Sequence, residues 1–173
     1  MVRKVYKYPN EILETPCEPV SEEEFDTPEL HELVADMFET MYESKGVGLA
    51  APQVGILKRL AIIDTSLGED DAKKIIIINP EITKKEGKQR DEEGCLCFPG
   101  FREKVTRAMK VVVKARDAKG KEYEMESVEL LSRAFQHEID HLNGILFIKH
   151  ISALKRDLIR RKIRKLTKAG EWD

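Results

Sequence analysis

The segment His137-Glu138-Ile139-Asp140-His141 is an HExxH pentapeptide. Residues four apart on a helix lie one above the other, so both imidazoles can reach a single cation from the same face. Glu138 then sits beside that cation, where a carboxylate can take a proton from an activated water and return it to a leaving group. This is hydrolytic machinery. The bland alternative is a surface helix with two solvated histidines, but the chain has only four His, and finding two at this spacing around Glu weighs against it. His31 and His150 lack such company and are given no role.

A catalytic metal centre normally has three protein ligands and one open position, so a third ligand is needed. The continuation HExxHxxGxxH fails, because Gly144 fits but Phe147 stands where the last histidine belongs. Downstream of Asp140 the acidic residues are Asp157, Glu171 and Asp173, none in a convincing context. The ligand is therefore sought upstream, in Glu93-Gly94-Cys95-Leu96-Cys97-Phe98-Pro99-Gly100, where thiols lie between Gly-containing turns that let the backbone approach a metal. Cys95 is the preferred ligand. Taken alone, a free Cys is more often a small buried hydrophobe; the company of HExxH reverses that preference.

Gly46-Val47-Gly48-Leu49-Ala50-Ala51-Pro52-Gln53 has the look of a glycine loop, yet it lacks the Lys-Ser/Thr of a P-loop and the spacing of a dinucleotide fingerprint. Small residues followed by Gln suit a tight wall beside a substrate, with the Gln53 amide donating to a developing oxyanion. A plain helix-to-strand turn is an equally good reading.

The elements that must position these residues can be sketched from pattern. Pro28 followed by Leu30, Leu33, Val34, Met37, Phe38 and Met41 predicts an amphipathic helix that stops near Gly46, with a loop after it. Arg59 to Asp64 and Lys74 to Ile78 read as buried strands, the second ended by Asn79-Pro80, and Lys110 to Arg116 with Glu122 to Glu126 as a hairpin. Ser127 is the expected N-cap of the helix that carries HExxH, with Leu130, Leu131, Ala134, Phe135, Ile139 and Leu142 as its apolar positions and Asn143-Gly144 closing it. A third helix is expected from Ser152 to about Lys168, with Leu154, Leu158, Ile159, Ile163 and Leu166 inward and its Lys and Arg outward. The class is α+β, mostly antiparallel strands around the metal-binding helix, with helices at both ends and one domain over residues 1–173.

With 41% apolar and 36% charged residues the composition is that of a compact globular protein, and a net charge of -2 gives no general attraction to nucleic acid. The three cysteines form an odd set, with Cys95 and Cys97 too close in sequence for an ordinary disulfide framework, which favours a reducing compartment. Met1 to Pro9 lacks the apolar stretch of a signal peptide and no run approaches a membrane span, so the expected location is cytoplasmic.

GVGLAAPQ from Gly46, EGCLC from Glu93 and QHEIDH from Gln136, in this order and at these separations, resemble the three signature motifs of the peptide deformylase family. The resemblance spans nearly the whole chain. It implies an enzyme that removes the formyl group from the N-terminal formylmethionine of nascent polypeptides and releases formate. The implied metal ligands are Cys95, His137 and His141, with water as the fourth. The implied ion is Fe²⁺, which Zn²⁺, Ni²⁺ or Co²⁺ can replace, whereas ligand chemistry alone would suggest zinc. In the implied mechanism metal-bound water attacks the formyl carbon. Glu138 moves the proton, and the Gln53 amide and the Leu96 backbone N–H stabilise the oxyanion. Val47 and Gly48 would bind the peptide backbone in extended form, Arg102 matches a position near the substrate, and Val47, Leu130 and Arg133 would wall the methionine pocket, Arg133 with its aliphatic stem. Glu93 and Arg107 match positions where a carboxylate and a guanidinium would pair and brace the Cys95 loop.

The chain departs from the commonest family pattern at Cys97, where Ser is usual. The ligand is untouched, but a second thiol near the site is expected to alter sensitivity to oxidation without changing the reaction. Two other readings remain open: an HExxH endopeptidase with a different third ligand, and a binding protein stapled by a structural metal. The basic residues of the last helix, Lys155, Arg156, Arg160, Arg161, Lys162, Arg164, Lys165 and Lys168, are expected to form a solvated face. A weaker expectation is contact with ribosomal RNA. Neither DNA nor a membrane is an expected partner, and the chain is expected to be a monomer.

Overall fold

The computed structural model describes residues 1–172; Asp173 lies outside them. Helix α1, Pro28–Glu43, begins with the Thr27 hydroxyl accepting from the Leu30 N–H and with Pro28 in its first turn. It ends at Glu43, before Gly46, because Lys45 already takes a left-handed conformation with φ 57°. The expected loop then contains a short strand, β1 (Gly48–Ala50), followed by a 3-10 turn over Ala51–Val54.

Strands β2 (Leu60–Ile63), β3 (Ile75–Glu86), β6 (Lys110–Arg116) and β7 (Glu122–Val128) join β1 in an antiparallel sheet of order β1-β2-β3-β6-β7. Two more strands, β4 (Gln89–Gly94) and β5 (Arg102–Arg107), pair only with each other. Period-two alternation divides the large sheet between two apolar clusters. Leu60, Ile62 and Ile78 pack with Met37, Phe38 and Met41 of α1. Ala61, Ile63, Ile77, Val111 and Val113 pack with Ala134, Phe135, Ile139 and Leu142 of helix α2, Glu129–Leu142. The sheet is thus covered on both faces, and α2 is sunk deeply enough to bury ten of its residues.

The structure corrects several boundaries. Asn79-Pro80 does not end β3: Asn79 sits at φ 51° in a register shift between Ile78 and Glu81, and its amide bonds both the N–H and the C=O of Val20 at 2.9 Å. The turn signal marks a bulge in a longer strand. Ser127 does not cap α2, because β7 continues to Val128 and feeds the helix directly, with no side-chain cap and with Glu129 at φ 55°. Helix α3, Ala153–Lys168, starts at a Ser152 hydroxyl that accepts from the Lys155 N–H.

Only a narrow stripe of α3 faces inward. Ile159 and Ile163 are buried beside Tyr8, Phe147, Ile148 and Trp172, with Leu166 half-buried against them, whereas Leu154 and Leu158 are 71% and 54% exposed. Nor are all its cations simply solvated. Arg156 donates to the carbonyls of Ile148 and Ile151, Arg160 donates to the Tyr8 hydroxyl, and Lys155 pairs with Glu103. Ile159→Ala is expected to lower unfolding free energy by about 2–5 kcal/mol, and Leu158→Ala to change it by less than about 0.5 kcal/mol. Urea titration measures both, and equal losses would show that Leu158 does pack inward.

Candidate active site

Helix α2 brings His137 and His141 to one face with their Nε2 atoms 3.2 Å apart. Cys95 opens the turn that follows β4, and its Sγ lies 3.3 Å from His141 Nε2. Among the described residues these three form a cluster whose donor atoms all lie within 4.8 Å of one another. Tetrahedral coordination, with metal–N distances of about 2.0–2.1 Å and metal–S of about 2.3 Å, requires N···N of about 3.3 Å and N···S of about 3.5 Å. The two separations, 3.2 and 3.3 Å, therefore suit one cation. Burial holds the His141 imidazole well below its ordinary pKa, so it is neutral as a ligand must be. Burial and the Cys97 thiol push Cys95 up, so a thiolate there calls for a positive charge beside it.

Behind the imidazoles lies a buried ionic network. His137 Nδ1 is 2.7 Å from Glu93 Oε2; with an ionised carboxylate as acceptor, Nδ1 carries the proton and Nε2 keeps its lone pair for a metal. Glu93 also accepts from Arg107 Nε at 3.0 Å, Arg107 Nη2 at 2.7 Å and Arg133 Nη1 at 2.9 Å. Burial opposes ionisation of Glu93, but the hydrogen bonds of His137 and Arg107 and the charge of Arg107 outweigh it and hold the carboxyl well below the usual range. Arg107 Nη1 reaches on to Asp140 Oδ2 at 2.7 Å, and His150 Nε2 lies 2.8 Å from the same oxygen.

Asp140 and His150 were invisible as site residues in the sequence. Asp140 occupies an unspecified position of HExxH, and nothing local ties it to His150, ten residues away. Gln136 adds a second unforeseen brace: its amide accepts from the Ala108 N–H and donates to the Ala108 C=O, both at 3.0 Å, clamping α2 to the turn between β5 and β6.

A cavity of about 600 Å³ opens over the cluster, with Val47, Gly48, Leu96, Leu130, Arg133 and Glu138 among its walls. Leu130 stands half-exposed at its lip. The Arg133 head is turned to Glu93 rather than to solvent, and Arg102 is exposed at the mouth, 3.7 Å from Glu92. Gln53 is buried, accepts from the Ala50 N–H at 2.9 Å and directs Nε2 to Cys95 Sγ at 3.6 Å. Glu138 is buried with Oε1 unpartnered among the described residues, and burial pushes its carboxyl up to about 7. A Cβ on Gly48 would lie 2.5 Å from Glu138 Oε2, and one on Gly46 would lie 2.9 Å from Leu96 Cδ1. The bare backbone of both glycines is what lets the three motifs meet.

The family model of polypeptide deformylase matches residues 2–157. The chain belongs to the polypeptide deformylase family. A peptide deformylase of Acidobacterium capsulatum is 59% identical over 172 residues, 99% of each chain. A crystal structure of the Legionella pneumophila peptide deformylase superposes with a TM-score of 0.90 at 44% identity, covering 98% of both chains. One from Plasmodium falciparum does so with 0.88 at 38% identity over 96% of both. Membership in the deformylase family makes this chain a hydrolase acting on amides, with the cluster of Cys95, His137 and His141 as its possible metal site.

Two outcomes follow for this deformylase. Gly48→Ala should lower kcat on the order of 10²-fold by displacing the Glu138 carboxylate, and an unchanged kcat would show that the contact is slack. Glu93 and Asp140 are both held below the ordinary carboxylate range. Their stabilisation is therefore complete above the unfolded values of about 4 and is lost as pH falls through the folded ones. Urea midpoints should drop as pH falls below about 4, less steeply in Glu93→Gln, and parallel curves would exclude Glu93 as a source of the loss.

Proposed function

We propose that this deformylase removes the N-formyl group from the formylmethionine that begins nascent polypeptides, using a cation held by Cys95, His137 and His141. The observation that carries the reading is the meeting of that S/N/N cluster with the buried Glu138 carboxylate under a cavity walled by β1. The donor set suits several transition metals; Fe²⁺ is the ion we assign, replaceable by Zn²⁺, Ni²⁺ or Co²⁺. When bound, such an ion lowers the pKa of water towards neutrality and polarises a carbonyl oxygen.

β1 is the edge of its sheet, and Val47 and Gly48 line the cavity, so an extended peptide can lie along that edge by strand addition. Leu130, Val47 and the stem of Arg133 receive the methionine side chain, and Arg102 at the mouth meets the residues beyond it. The Gln53 amide and the Leu96 N–H donate to the formyl oxygen as it gains charge. Glu138, with its pKa near 7, accepts the proton of the attacking water and delivers it to the amine nitrogen as the C–N bond breaks, releasing formate. Glu93, Arg107 and Arg133 fix the imidazole of His137 for this task. We assign the enzyme to the cytoplasm as a monomer. Arg161, Arg164, Lys165 and Lys168 of α3, which have no ion-pair partner among the described residues, supply a salt-sensitive contact to ribosomal RNA.

Anaerobically purified enzyme should contain one divalent ion per chain and release formate from a formyl-Met peptide. Glu138→Gln should keep the ion and lose about 10²–10⁴-fold in kcat. Internal peptide cleavage without formate would make the protein an endopeptidase, and full activity in Glu138→Gln would remove the proton-transfer role. Ribosome co-sedimentation should weaken steeply with salt; salt-independent binding, or none, would exclude the RNA contact.

A further inference from the structure

The turn that presents Cys95 holds a second sulfur. Cys97 Sγ lies 2.9 Å from Cys95 Sγ, closer than two sulfurs normally rest without a bond or a shared proton. The two residues are the first and third of a β-turn closed by the Phe98 N–H on the Cys95 carbonyl at 2.9 Å. Two peptide steps of about 3.8 Å span at most about 7 Å when extended, and the turn shortens that span into the roughly 4.4–6.8 Å that a disulfide bridges.

The two thiols differ in access. Cys95 lines the cavity, whereas Cys97 is fully buried in the apolar cluster of Phe98, Val105 and Phe147. Cys97 is also anchored, because its carbonyl accepts from the Tyr8 N–H at 3.0 Å, so its sulfur stays beneath that of Cys95. A small oxidant entering the cavity therefore meets Cys95 first, with a resolving thiol already in place.

We infer that Cys95 and Cys97 are a reversible oxidative modification site, closing to a disulfide when a peroxide reaches the cavity. Cys95 Sγ attacks one peroxide oxygen and breaks the O–O bond, giving a sulfenic acid and a hydroxide that leaves as water with a proton. Cys97 Sγ then attacks that sulfur, the S–O bond breaks, and the hydroxyl leaves as a second water with the Cys97 proton. The two sulfurs together lose two electrons and one peroxide becomes two waters. The bond diverts Cys95 from the sulfinic and sulfonic acids, which are not recovered by thiols. It also removes the sulfur donor of the cluster. That consequence rests on Cys95 being a metal ligand; the disulfide itself does not.

The test exposes the nickel-loaded enzyme, whose ion does not itself reduce the oxidant, to one equivalent of hydrogen peroxide, alkylates the remaining thiols and digests with trypsin. Peptide Asp91–Arg102 contains both cysteines. It should lose the mass of two hydrogens, escape alkylation at both positions and regain both on treatment with dithiothreitol. The ion should be released in step with the crosslink, and formate activity should return fully after reduction and re-addition of the ion. Cys97→Ser, which leaves deformylation unchanged before oxidation, should instead gain one to three oxygens on Cys95 and recover little activity with dithiothreitol. Oxygen additions on Cys95 of the native enzyme, with Cys97 still open to alkylation, would overturn the proposal without any variant. A crosslink formed while the ion stays bound would uphold the disulfide and remove Cys95 from the ligand set.

Discussion

The Glu93 carboxylate is kept ionised where water scarcely reaches, and that constraint organises the site. An isolated buried carboxylate would cost several kcal/mol or would neutralise itself by taking up a proton. Here it is surrounded by the His137 imidazole and the guanidinium groups of Arg107 and Arg133. The four residues come from three elements: Glu93 from β4, Arg107 from β5, and Arg133 and His137 from α2. Satisfying one buried charge therefore fixes a largely polar hairpin against the central helix. Because Cys95 follows Glu93 by two residues, the same docking delivers the sulfur to the histidines. Such a network adds little net stability compared with apolar packing, but losing any one partner strands a charge, which gives the geometry its definition.

The second constraint is close approach. α2 can hold its carboxylate against β1 only because Gly48 has no side chain, and the Cys95 turn can lie over Gly46 for the same reason. Gly48 in the edge strand and Gly46 just before it, both bare of side chains, leave backbone and space together at the cavity wall. The sheet beneath is packed on both faces, so the walls of the cavity rest on rigid elements while its mouth is formed by the more polar hairpin.

Legibility in the sequence followed the locality of each signal. HExxH is complete within five residues, α1 announces itself by apolar spacing and the β6–β7 hairpin by its branched residues and Gly120 turn, and the structure places elements at all of these positions. Cys95 could be preferred but not fixed, because its partnership with α2 depends on a contact across 46 residues. Strands β4 and β5 escaped notice since their charged residues show no apolar alternation; they exist to carry Glu93 and Arg107 inward while the rest of the hairpin is largely solvated. Asn79-Pro80 misled because a bulge and a turn use the same residues. Ser127 misled because a strand fed the helix without a break. Leu154 and Leu158 misled because the periodicity of a short helix does not say how wide a neighbour waits for it. Asp140 and His150 were unreadable in principle, being joined only by the fold.

The proposed chemistry depends on one sulfur and two imidazoles sharing a cation. X-ray absorption at the metal edge of the cobalt-loaded enzyme reads this directly. It should show a single sulfur at about 2.3 Å, with the remaining scatterers nitrogen or oxygen at about 2.0–2.1 Å. A first shell of nitrogen and oxygen alone would contradict it.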